Sequence, residues 1–384
     1  VHVAVNGWFW DKPFTGSGQY LRQLIHWLPI VEPTLRLTLV LPAPASDLND
    51  LSGRITTHIA SSGRSNPGKV MFEQHTFPRA SSRVGADLAL VPYWGGPLSS
   101  PIPVVVSILD VIPLILPDYA RGLLPRFYTS LQTAAGRGAT HILTISEASK
   151  ADIVRHLQVT PDRVTVTPLA ASDAFHPRLG AERDADVRAR YQLPDRYVLY
   201  LGGFDVRKRV SQLVAAYAFV QRAMGDEVLL VLNGQPPQWG RPPFPDLPAD
   251  IARAGVSDNV RWIGRVDEAD KPALYRMADV FAFPTAYEGF GLPILEAMAS
   301  GTPVVANDIP VVQEVVGDAA YLVPDGGVRE MAGALLSLLV DDALREDQRT
   351  RGLARATHFS WRRTAAATAA ALRKVVQSGV TSSS

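Results

Sequence analysis

Val280-Phe281-Ala282-Phe283-Pro284-Thr285-Ala286-Tyr287-Glu288-Gly289-Phe290-Gly291-Leu292-Pro293-Ile294-Leu295-Glu296-Ala297-Met298-Ala299 decides the fold class. The run Val280–Phe283 is apolar on every residue and stops at a proline. That is the pattern of a parallel strand buried on both faces. Leu295–Ala299 is made of helix formers. The stretch therefore predicts strand, loop and helix in immediate succession. Glu288 falls on the loop and Glu296 in the first turns of the helix. The glycines between them leave backbone N–H groups bare near a helix N-terminus, which favours an anion. Two carboxylates beside such a site can accept hydrogen bonds from hydroxyl groups.

The rest of the chain repeats this alternation. In the first half, strand patterns fall at Val1–Val5, Leu35–Leu41, Ile55–Ile59, Leu88–Val91, Val104–Leu109, His141–Ile145 and Val164–Thr167. Helical patterns fall at Gly18–Leu28, Leu123–Ala135 and Glu147–Leu157, the last with Ser146 as N-cap. A Pro-, Asp- and Arg-rich stretch from Asp173 to Arg196 reads as a linker. Beyond it, strands are expected at Tyr197–Leu201, Val228–Asn233, Val260–Ile263, Val280–Phe283, Pro303–Ala306 and Ala320–Val323, with helices between them. The predicted organisation is a first domain over 1–176, a linker over 177–196 and a second domain over 197–355. A final helix over 356–377 and a frayed tail over 378–384 complete it. Strand–helix alternation in both halves predicts an α/β protein with two doubly wound parallel sheets.

Composition narrows the chemistry. The chain has 384 residues, enough for two ordinary domains, with 47% hydrophobic and 20% charged residues and a net charge of +1. There are 14 basic against 12 acidic residues up to residue 176 and 24 against 25 after it. Neither half carries the field that draws a protein to nucleic acid. Zero cysteines exclude disulfides, thiolate metal sites and a cysteine nucleophile. No histidine–carboxylate spacing reads as a metal site, and Asp184-Ala185-Asp186 falls in the linker stretch, so no metal is expected. No apolar run reaches the roughly 20 residues of a spanning helix. No signal-peptide pattern precedes the first strand, which sets a cytoplasmic expectation.

The ungapped string from Pro284 to Val305, with Glu288 and Glu296 at its centre, resembles the donor-site signature of the retaining GT-B glycosyltransferases of the "glycosyl transferases group 1" class, family 4. The resemblance implies two facing Rossmann-like domains with an interdomain cleft. It implies a nucleoside-diphosphate sugar as donor and no cofactor. Glu288 would contact the transferred sugar and Glu296 the ribose hydroxyls, with Gly289, Phe290, Gly291 and Leu292 lining the phosphate end.

Four further motifs carry chemistry. Gly202-Gly203-Phe204-Asp205-Val206-Arg207-Lys208 places two cations just past a strand, where they can neutralise a diphosphate. The resemblance gives Arg207 and Lys208 that role. Many relatives have a basic residue at Gly203 and Asn or Gly at Arg209. Thr15-Gly16-Ser17-Gly18-Gln19-Tyr20 is a glycine-rich turn opening a helix, so Gly16, Ser17 and Gly18 are candidate anion or acceptor contacts. Gly264, Arg265 and Val266 follow another strand, at the loop that meets the nucleobase in relatives. Asp110 ends a buried strand, where capping and a catalytic role both stand open. Relatives carry His-Asp there, and this chain has Leu109.

Trp8, Trp10, Tyr93 and Trp94 follow strands and are candidate acceptor contacts, with packing as the equal alternative. The N-terminal motifs resemble bacterial mannosyltransferases of surface-polysaccharide assembly. GDP-mannose is therefore the first donor expected, ahead of UDP-glucose, UDP-GlcNAc and rhamnosyl donors, with a glycan or lipid-linked glycan as acceptor. A nucleotide-sugar epimerase, a glycan phosphorylase and a non-catalytic nucleotide-sugar-binding subunit are the rival readings. Arg121, Leu123, Leu124, Arg126 and Arg137 suggest a peripheral membrane contact, against a solvated helix face as the alternative.

Overall fold

The computed structural model describes residues 1–381 apart from 46, 49–52, 54 and 64. The chain forms two units, Val1–Leu169 together with the segment from Ser360 onward, and Ala170–Phe359. The first holds seven strands: β1 (His2–Asn6), β2 (Arg36–Leu41), β3 (Ile55–Ile59), β4 (Leu88–Val91), β5 (Val104–Ser107), β6 (His141–Thr144) and β7 (Val164–Val166). They are parallel and lie side by side as β3-β2-β1-β4-β5-β6-β7. The second holds β8 (Tyr197–Leu201), β9 (Leu229–Asn233), β10 (Val260–Gly264), β11 (Val280–Phe283), β12 (Val304–Asn307) and β13 (Tyr321–Val323). Their order is β10-β9-β8-β11-β12-β13, again parallel throughout.

These are doubly wound Rossmann-like sheets. Their central strands are buried on every residue, as β1, β4, β8 and β11 show, because helices cover both faces. In each unit the chain winds outward from the first strand, then returns to start again on that strand's other side. The reversal falls between β1 and β4 and between β8 and β11. There the outgoing loops diverge and leave a crevice at the carboxyl ends of the strands.

Four regions differ from the sequence expectation. The boundary between the units falls after Leu169, and the stretch read as a linker belongs to the second unit and contains the helix Asp184–Tyr191. That helix has little apolar surface and is held by ion pairs. Asp270, 1% exposed, accepts from Arg183 at 2.9 Å, Arg190 at 2.6 Å and the Tyr191 hydroxyl at 3.0 Å. Asp184 takes the Arg276 Nε at 3.1 Å. Residues 66–83, left unassigned, form helix Asn66–Met71, a π-helical turn Phe72–Thr76 and helix Phe77–Arg83. Helix Asp342–Ala356 was also missed, because its charged surface shows no apolar stripe.

The final helix spans Trp361–Thr381, so the tail expected to fray from 378 stays helical to 381; residues 382–384 lie outside the described residues. It packs on helix Gly16–Val31 of the first unit, with the Trp361 ring against Tyr20, and buries Ala365, Ala369 and Leu372. Leu372→Ala removes a fully buried side chain and is expected to cost about 2–5 kcal/mol. Hydrogen exchange read by mass spectrometry should then show faster global opening of the first unit's amides. Protection of β8–β13 should be unchanged.

Candidate active site

The site in the second unit is assembled by two loops at its strand-order reversal. After β8 the chain runs through Gly202 and Gly203 into a 3-10 turn, Val206–Lys208. After β11 it runs from Pro284 to Gly291, which precedes helix Leu292–Ala299 with φ of +98°. That left-handed value favours glycine. The loops clamp each other through the backbone. The Arg207 carbonyl accepts from the Ala286 N–H at 2.8 Å and from the Thr285 hydroxyl at 3.3 Å.

This clamp brings Arg207 and Lys208 onto Glu288. Arg207 Nη1 donates to Glu288 Oε1 at 2.8 Å and to the Tyr287 carbonyl at 2.9 Å, and Lys208 Nζ donates to the same Oε1. The Asp205 carboxylate lies 3.3 Å from Arg207 Nε, and the Lys208 ammonium stands 5.5 Å from the Phe283 ring centroid. All three members of the triad are about nine-tenths buried, at 13%, 11% and 15% side-chain exposure. Burial alone would push the Glu288 carboxyl up, but Lys208 and Arg207 together outweigh it and hold the group below the usual range. Glu288 therefore contributes stability above its ordinary pKa and loses it as pH falls through the lowered native value.

Glu296 has the opposite environment. It lies one helical turn inside Leu292–Ala299, 8% exposed, with one hydrogen bond from the Tyr275 hydroxyl at 3.0 Å. Burial dominates and raises its pKa to about 7, with Lys271 and the Tyr275 bond opposing and Glu268 adding to the rise. A ligand offering hydroxyl donors would find a strong acceptor here in the ionised form. Lys271, Glu268 and Tyr275 carry no motif and could not be found from the sequence.

The structure explains one departure noted above. Arg209 has φ of +51°, in the left-handed region where Asn and Gly are at ease. Its guanidinium is paired with Asp325 at 3.3 Å. A Cβ at Gly203 would meet only Asp205 Oδ2, at 3.3 Å, so no backbone constraint requires glycine there. Gly264, Arg265 and Val266 close the end of β10. The Gly264 carbonyl accepts from the Gly234 N–H at 2.9 Å and the Asn233 amide at 3.0 Å, Arg265 is exposed, and Val266 is buried. Phe290 is buried against Phe359.

In the first unit several candidates have structural duties. Trp8, Trp10 and Tyr93 are 6%, 4% and 2% exposed, which favours packing for all three. Trp10 bonds Asp47 at 2.8 Å beneath the Arg22 guanidinium, and Trp8 packs against Phe72 with the rings tilted by 43°. Trp94 is half-buried and donates to the Gln132 carbonyl at 3.2 Å. Asp110 caps the following turn, taking the Ile112 N–H at 3.0 Å. Gly18 is required by packing, since a Cβ there would lie 2.0 Å from the Lys12 carbonyl. Its N–H is held by the Thr15 hydroxyl at 3.1 Å, whereas Gly16 lies exposed and Ser17 half-buried in the first turn of Gly16–Val31. Among the described residues no three His, Asp or Glu side chains are placed to hold a metal ion.

Residues 185–355 match the family described as "Glycosyl transferases group 1". The chain is 37% identical over 222 residues to O-antigen chain mannosyltransferase B of Escherichia coli, covering 57% of each protein. It is 34% identical over 268 residues to the MMP alpha-(1->4)-mannosyltransferase of Mycolicibacterium hassiacum, covering 67% of this chain and 60% of that one. The chain thus spans less than two thirds of the length of these relatives. Sucrose-phosphate synthase from Thermosynechococcus elongatus superposes with a TM-score of 0.76 at 22% identity, over 98% of this chain and 99% of that one.

The raised Glu296 pKa has a measurable consequence. Between pH 4.5 and 7 the native state holds a proton that the unfolded state has released, so this group lowers stability as pH rises and levels off above 7. Glu296→Gln should match the parent near pH 4.5 and exceed it above pH 7 by on the order of 3 kcal/mol. Urea unfolding across that range measures the difference.

Proposed function

We propose that this chain, whose residues 185–355 form a domain of the glycosyl transferases group 1 family, is a retaining, metal-independent GT-B hexosyltransferase. It would move a hexose from a nucleoside-diphosphate sugar to a hydroxyl of a glycan or lipid-linked glycan. GDP-mannose is the first donor candidate, a choice that rests on the mannosyltransferase names of its relatives. The observation that carries the reading is the convergence of Arg207 and Lys208 on one oxygen of Glu288, with Glu296 buried one turn into the helix that follows.

In the reaction the donor's anomeric C–O bond breaks and its electron pair goes to the diphosphate oxygen. Arg207 and Lys208 exchange part of their contact with Glu288 for that oxygen's growing charge, with N–H groups around Gly289–Leu292 assisting. The acceptor hydroxyl attacks from the face the diphosphate leaves. Its proton passes to the departing phosphate oxygen. Glu288, kept ionised by its two cations, faces the positive charge developing on the sugar ring. Glu296 accepts from the ribose hydroxyls.

Lys208→Met removes one of the two charges and is expected to lower kcat by about 10²–10³-fold. Glu288→Gln should lower transfer much more than donor binding. Calorimetry of GDP, UDP, ADP and TDP, each with chelator present, should single out one nucleotide. A turnover lost on exhaustive chelation and restored by a divalent ion would overturn the metal-independent reading.

A peripheral membrane contact fits the first unit. Leu123, Leu124 and Phe127 are 86%, 81% and 68% exposed on one end of helix Leu123–Gly138, flanked by exposed Arg121 and Arg126. Arg137 is not part of this patch: it sits at the helix's other end, bonded to the Leu157 carbonyl. Replacing all three apolar residues by serine should abolish co-sedimentation with vesicles containing anionic phospholipid. Unchanged co-sedimentation would remove the proposal.

A further inference from the structure

The first unit also has a cluster of titratable side chains at its strand-order reversal, where β1 and β4 part. Lys69 Nζ is ringed by Phe9, Tyr93 and Tyr128, at 5.2, 5.1 and 4.9 Å from their centroids. It donates to the Tyr128 hydroxyl at 2.6 Å and lies 3.3 Å from Glu73 Oε1. Glu73 is 1% exposed and accepts from the same hydroxyl at 3.2 and 3.3 Å. It sits in the π-helical turn Phe72–Thr76, an irregularity that recurs at functional sites.

The surroundings are tightly built. A Cβ on Gly95 would lie 2.7 Å from Glu73 Oε1, so the segment after β4 presses directly on the carboxylate. Gln74 ties that segment down, donating to the Gly96 carbonyl at 2.8 Å and accepting from the Leu98 N–H at 3.0 Å. On the open side stands Lys12, exposed, with its ammonium 5.3 Å from the Phe9 centroid and 5.9 Å from that of Trp8. Its backbone is fixed by the close approach to Gly18.

Positive charge gathers around Phe9. Two ammonium groups lie within 5.3 Å of its ring centroid, and Glu73, paired with Lys69, already serves Tyr128. Burial lowers the proton affinity of Lys69, Glu73 opposes that, and the Lys12 charge adds to it. Hydration that Lys69 lost on burial is replaced only in part by Tyr128 and Glu73. An oxyanion placed between the two ammonium groups would relieve their repulsion and supply the missing acceptors.

We propose that Lys12 and Lys69 form a second anion-binding site, which takes a phosphate or carboxylate group whose carrier lies against Phe9. Given glycosyl transfer, the function proposed above, this site recognises an anionic group on the acceptor, and Glu73 is the positioning residue that holds Lys69 in place.

The chain has six lysines, so protein carrying 13Cε-lysine gives few signals, each assignable by Lys→Met substitution. Titration with inorganic phosphate should shift the Lys12 and Lys69 signals saturably in the full chain. Lys12→Met, at an exposed position where folding is not at risk, should weaken binding about tenfold, the loss of one charge-assisted bond. Lys69→Met should abolish it, and Arg207→Met should leave it intact. Shifts confined to Lys208, or phosphate binding unchanged in both lysine variants, would overturn the proposal. Octyl phosphate and glucuronate then identify the source: tighter binding of the first assigns a lipid phosphate, and of the second an acidic sugar. These readouts need no turnover, so they stand or fall apart from the glycosyltransferase reading. With turnover in hand, Lys12→Met should raise acceptor KM and leave kcat and donor KM unchanged.

Discussion

Everything in the second unit depends on the reversal of strand order between β8 and β11. Helices leaving those strands turn to opposite faces of the sheet, and the loops that lead into them are left facing each other. Parallel strands alone would not bring residue 207 to residue 288. The reversal does, and the Arg207 carbonyl, gripped by Ala286 and Thr285, sets the spacing of the two loops. Once the loops are paired, one carboxylate can serve two cations in a place where none of the three would be stable alone. Charges this deeply buried are tolerated when paired and hydrogen-bonded, and costly otherwise.

That arrangement gives the two glutamates opposite electrostatic characters eight residues apart. Glu288 is drowned in positive charge and stays ionised. Glu296 has a tyrosine hydroxyl and a hydrophobic helix face around it, and holds its proton to near neutrality. Two carboxylates in one site with such different settings differ in ionisation near neutral pH. The same topology repeated in the first unit brings Trp8, Phe9 and Tyr93 together with Lys69, though with other chemistry at its mouth.

Most of the fold was legible because strands buried on both faces write themselves as unbroken apolar runs. Val280–Phe283, Tyr197–Leu201 and Leu88–Val91 were read to the residue. The Arg207–Lys208 and Glu288–Glu296 motifs were legible because each is local. What failed was everything held by partners distant in sequence. Helix Asp184–Tyr191 looks like a linker until Asp270 and Arg276 are set beside it. Pro67 and Pro78 disguise the helices around the π-helical turn; Pro67 sits in a first turn, where a missing N–H costs nothing, and Pro78 comes just after the π-helical turn. Aromatic residues after a strand suggest a ligand face, but Trp8, Trp10 and Tyr93 point into the core. Lys69 and Glu73 have no local signature, since their setting is made by residues 9, 93 and 128.

The return of helix Trp361–Thr381 to the first unit has a consequence for synthesis on the ribosome. Residues 170–359 are contiguous, so the second unit can complete its core as soon as it emerges. The first unit cannot, although its strands emerge first. Its helix Gly16–Val31 waits for helix Trp361–Thr381, which comes off some two hundred residues after β7. Through that interval an apolar helix face stays uncovered in the nascent chain. Of the two units, the one whose strands are made first is thus the last to be finished, and it is the one that has to be kept from sticking to its neighbours.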